Sequence, residues 1–151
     1  MHLKEHTAIL LIPPLGYVIL WISGSAAFLI YFQLFHISLE QETILMIQKV
    51  PVLLSIVTVS FCSFFSFFLT TKFILRKYLR TVIPKKIFQI SLLSLIFTIV
   101  LDLLITVAIE KIDILDFPLN IMYVFAWIVI IPSICWASRQ EQKRKKNLDR
   151  I

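Results

Sequence analysis

The chain has 151 residues, a formal net charge of +6, 59% hydrophobic residues and a mean hydropathy of +0.90. Only two glycines and as many as thirteen phenylalanines stand in it, so it is neither a disordered chain nor a soluble domain that hides its apolar side chains. The basic excess does not mark a nucleic-acid binder, because Lys and Arg are confined to the segments between and after the apolar runs.

Met1 to Thr7 is short and polar, and Ala8 to Phe35 follows as one apolar run. The run passes through the small residues Ser23 to Ala27 and continues without a polar break, so it reads as a retained first span and not as a cleaved signal. Pro13 and Pro14 suit a first helical turn, where missing amide donors cost least. From Leu15 to Phe35 a helix covers about 30 Å, the thickness of a bilayer core. Gly16, Ser23 and Ala27 share a face and predict a close helix neighbour.

The connection from His36 to Val50 carries Ser38 and Gln41 in capping-box spacing, which predicts a short interfacial helix over 39–49. Pro51 opens a second span reaching about Thr71, with Ser55, Thr58, Cys62 and Ser66 on one side. Six basic residues and no acid fill the next connection, Lys72 to Lys86, whose first part is expected to prolong the helix and stop before Pro84. The third span is 87–109. A short acidic turn leads to the fourth, 118–138, in which Pro132 removes the amide that would bond to the Ile128 carbonyl and predicts a kink. A charged tail over 139–151 closes the chain and is expected to be mobile.

These elements predict an all-α membrane protein: four transmembrane helices in a compact antiparallel bundle, one domain over 1–138 and a basic cytoplasmic tail. Thirteen of the fifteen Lys and Arg fall on the side shared by the N-terminus, the middle connection and the tail; Lys49 and Lys111 lie opposite. The positive-inside rule then puts both termini in the cytoplasm. Richness in Ile, Phe and Lys is what a bacterial inner membrane protein from an AT-rich genome would show.

Asp102 is the only acidic or basic residue within any of the four spans. Insertion scales charge about 2.5–3.5 kcal/mol for such a residue at a helix centre, so it calls for a reason. It continues a stripe of Ser91, Ser94, Thr98 and Thr106 that occupies about a third of the helix circumference. No Lys, Arg or His lies at its depth, and depth matching offers Ser55, Thr58, Tyr123 and Trp127 as hydrogen-bond partners. One reading makes Asp102 a residue that locks helices together; the other makes it the coupling carboxylate of a proton- or cation-driven transporter working as an oligomer.

Lys143, Arg144, Lys145 and Lys146 form a candidate contact for anionic lipid, although the positive-inside rule already explains them. Cys62 and Cys135 sit inside apolar runs and read as packing residues. His2, His6 and His36 lack metal-like spacing, and no GxSxG, HExxH or phosphate-binding loop is present. The expectation is a non-enzymatic protein without cofactor or metal. Its partners would be membrane lipid and either itself or another membrane protein, and it would act through helix–helix contacts as a subunit, an assembly partner or an immunity-type protein.

Overall fold

The computed structural model describes residues 7–37, 50–78, 84–110 and 121–148, with all side chains in them except those of 84, 106–110 and 121. Regular structure in these residues is entirely helical: a helical turn over 7–10, then α1 (Ile12–Leu34), α2 (Val52–Tyr78), α3 (Pro84–Glu110), α4 (Ile121–Ile128) and α5 (Ile130–Leu148). Four stretches are long and apolar enough to cross a membrane: Thr7–Leu34, Val52–Tyr78, Lys85–Ile105 and Met122–Leu148. The expected interfacial helix over 39–49, the acidic turn after Glu110, the opening of the fourth span at Pro118 and residues 149–151 lie outside the described residues.

The prolines punctuate the helices as their chemistry requires. Pro13 and Pro14 stand in the first turn of α1. Pro132 has no amide for the Ile128 carbonyl, and the fourth span is interrupted at Val129, between α4 and α5. Hydroxyls occupy carbonyls around the break. Ser63 Oγ donates to the Ala126 carbonyl at 2.9 Å, and Ser133 Oγ donates to that of Ile130 at 2.7 Å. Helix α1 ends in a Schellman turn, with the Ile37 amide donating to the Phe32 carbonyl at 2.8 Å and the His36 amide to that of Gln33 at 3.3 Å. His36 takes the left-handed position at φ 52°, and Phe32 and Ile37 pack together with Val50 beneath it.

The principal contacts are α1 with α2, α1 with α3, α2 with α4 and α5, and α3 with α5; α2 and α3, although consecutive, make no comparable contact. The main core lies where these helices meet, around Ile12, Phe67, Ile74, Leu75, Ile130 and Ile134. Large apolar side chains such as Trp21, Ile22, Leu53, Phe61 and Ile96 cover the outside instead.

Two differences from the sequence reading concern the small-residue face and the tail. Gly16 is buried against Phe67, but Ser23 and Ala27 are half-exposed and Gly24 has open space where a Cβ would stand. Close approach is therefore confined to one point. The tail is helical as far as Leu148, in place of the mobile segment expected after Ser138. It is held against the end of α2: Lys72 Nζ donates to Gln140 Oε1 at 3.2 Å, and Lys145 Nζ donates to the Leu75 carbonyl, also at 3.2 Å. Leu75 is in the last turn of α2, where carbonyls lack helical partners and a cation is favoured.

Candidate functional site around Asp102

The stripe on α3 turns inward. Ser91, Ser94, Thr98 and Asp102 are all buried, and Asp102 is 9% exposed. The burial follows from the helix period, since residues three and four apart stack on one side and that side faces α1 and α5. The side chain of Thr106 falls outside the described residues.

Each carboxylate oxygen of Asp102 accepts a hydrogen bond from a different helix. Tyr17 Oη, on α1, donates to Oδ1 at 2.8 Å, and Trp127 Nε1, on α4, donates to Oδ2 at 2.7 Å. One carboxylate thus ties three of the four long apolar stretches together. Rings surround the pair: Phe97 meets Tyr17 edge-on with centroids 6.4 Å apart, and Tyr123 lies 6.3 Å from Trp127. Tyr123 therefore joins the site through the indole it packs on.

Gly16, next to Tyr17, explains how α1 serves two neighbours at once. A Cβ there would lie 2.6 Å from Phe67 Cδ1, so only glycine lets α2 approach at this level. Tyr17 is one residue, or about 100°, further round and reaches α3.

Ser55 and Thr58 are not brought to the carboxylate. Thr58 Oγ1 lies 2.6 Å from Tyr31 Oη. Tyr31 stands fourteen residues along α1 from Tyr17, about 21 Å away. Ser55 is buried and its hydroxyl has no hydrogen-bond partner among the described residues. Both belong to α2, which does not face α3. The same lack of a partner holds for the hydroxyls of Ser94 and Thr98, the latter one turn from Asp102 on the same face.

The basic run divides. Arg144 pairs with the buried Glu141, Nε to Oε2 at 3.1 Å, and Lys145 reaches α2, whereas Lys143 and Lys146 are exposed. The residue that sequence reasoning missed is Tyr17. Nothing in the sequence gives the offset between helices that carries its phenol to Asp102.

The chain matches no family model, no curated protein and no solved structure.

Proposed function

We propose that this chain is a small, non-enzymatic, multi-pass membrane protein that acts through helix–helix contacts, as a subunit, an assembly partner or an immunity-type protector. In this reading its helices form a compact antiparallel bundle with both termini in the cytoplasm. The observation that carries the reading is the carboxylate of Asp102, both of whose oxygens are engaged by donors from other helices. A group used in this way holds helices in register, which is the best-attested use of a lone polar residue among apolar helices. The apolar residues left on the outside would face lipid or a partner's helices.

A second reading, a proton- or cation-coupled transporter with Asp102 as coupling group, is favoured by one observation. The buried hydroxyls of Thr98 and Ser94 extend from Asp102 along one face without partners among the described residues. Two measurements, one on reconstituted protein and one in native membranes, separate the readings. Vesicles loaded with a pH-sensitive dye report proton flux, and photo-crosslinkers placed at Trp21 and Phe61 in native membranes report neighbours. We expect no flux above that of empty vesicles and crosslinks to a protein of discrete mass. A flux that Asp102→Asn abolishes would establish the transporter instead, and crosslinks to lipid alone would remove the helix-contact role.

A further inference from the structure

Where α2 and α5 run side by side beyond the core, aromatic and basic residues are layered. Trp136 on α5 is 54% exposed, and its ring lies 5.6 Å from that of Phe64 and 5.8 Å from that of Phe68, both on α2. One turn further along α2, Lys72 Nζ stands 5.5 Å from the Phe68 ring centroid while donating to Gln140. Its ammonium is held in place above the aromatic floor. Lys143 is exposed, and its spacing from Trp136 and Gln140 puts all three on one face of α5.

The charge at this end is one-sided. Lys72, Arg76 and Lys77 stand at this end of α2, and Arg139, Lys143, Arg144, Lys145 and Lys146 stand at this end of α5. Glu141 is the only acid on α5, α2 has none, and Glu141 is buried and paired with Arg144. Nothing on either helix compensates Lys72 and Lys143.

We propose that the groove between α2 and α5 is a binding site for one anionic phospholipid. Lys72 and Lys143 hold the headgroup phosphate, and an acyl chain lies on Trp136 and the two phenylalanine rings. An indole beneath basic side chains suits the boundary between hydrocarbon and headgroup, where lysine stems extend along apolar surface and their ammonium groups meet phosphate. A zwitterionic lipid brings a quaternary ammonium to the same cations and is disfavoured, so the site selects by net headgroup charge. The proposal needs the helices to cross a bilayer, but it is independent of the role given to Asp102.

The test uses the full chain in phosphatidylcholine vesicles that contain brominated phosphatidylglycerol or, at equal mole fraction, brominated phosphatidylcholine. Trp136 emission is obtained as the difference between the protein and Trp136→Phe. We expect the anionic brominated lipid to quench Trp136 about twofold more than the zwitterionic one, reflecting local enrichment. The excess should disappear in the double variant Lys72→Gln/Lys143→Gln, persist in Lys72→Arg/Lys143→Arg, and persist in Lys146→Gln. Equal quenching of the native protein by the two lipids overturns the proposal. So does an equal loss in Lys146→Gln, which would mark diffuse attraction in place of a site.

Discussion

Two donors on one carboxylate can be removed one at a time. Tyr17→Phe deletes only the hydroxyl that donates to Asp102 Oδ1 and leaves the ring against Phe97. Hydrogen bonds between membrane helices average about 0.6 kcal/mol and reach about 1.7 kcal/mol, so Tyr17→Phe should cost an amount in that range. Unfolding by sodium dodecyl sulfate in mixed micelles measures it. In a double-mutant cycle with Asp102→Leu, which leaves the phenol no acceptor at this position, the coupling should account for most of the loss; additive single effects would show that the bond carries no stability. His36 offers a change of opposite sign. It occupies the left-handed turn position that glycine fills without a Cβ penalty, and His36→Gly should raise stability in the same assay by no more than about 1–2 kcal/mol, the cost of a Cβ there.

At the scale of elements, the two glycines of the chain make a paired test. Gly16→Ala places a methyl group against the ring of Phe67, a side chain that is fully buried and has no open side to move into. Overpacking of this kind costs about 1–3 kcal/mol. Gly24→Ala meets open space within a helix and should be neutral or gain about 0.5–1 kcal/mol from helix propensity. Equal effects at the two positions would mean that α1 and α2 do not meet at Gly16. The interruption at Val129 is of another kind: Pro132 imposes it locally, and the hydroxyls of Ser63 and Ser133 accommodate it.

For the molecule as a whole, the proposed bundle with both ends in the cytoplasm rests on the distribution of Lys and Arg. A cysteine-containing tag after Ile151 should resist a membrane-impermeant maleimide in intact cells and react once they are opened. Labelling from outside would reverse the threading. The basic ends of α2 and α5 would then lie on the outer side, since Lys72 meets Gln140 at the same end of the two helices.

Apolar run length and proline position alone determined the existence of four long apolar helices and the interruption of the fourth span, because each follows from residues within one helix. Burial of Ser91, Ser94, Thr98 and Asp102 was legible for the same reason, as a periodicity of α3. Trp127 could be named as a partner, but Ser55 and Thr58 were named beside it because a count of depth does not say which helices face each other. Only the tertiary structure placed α1 and α5 beside α3 and left α2 apart. It also set the stagger by which Tyr17, ten residues into its span, meets Asp102, seventeen residues into another. Facing and stagger depend on side-chain packing between helices distant in sequence, and Gly16 against Phe67 is one such contact.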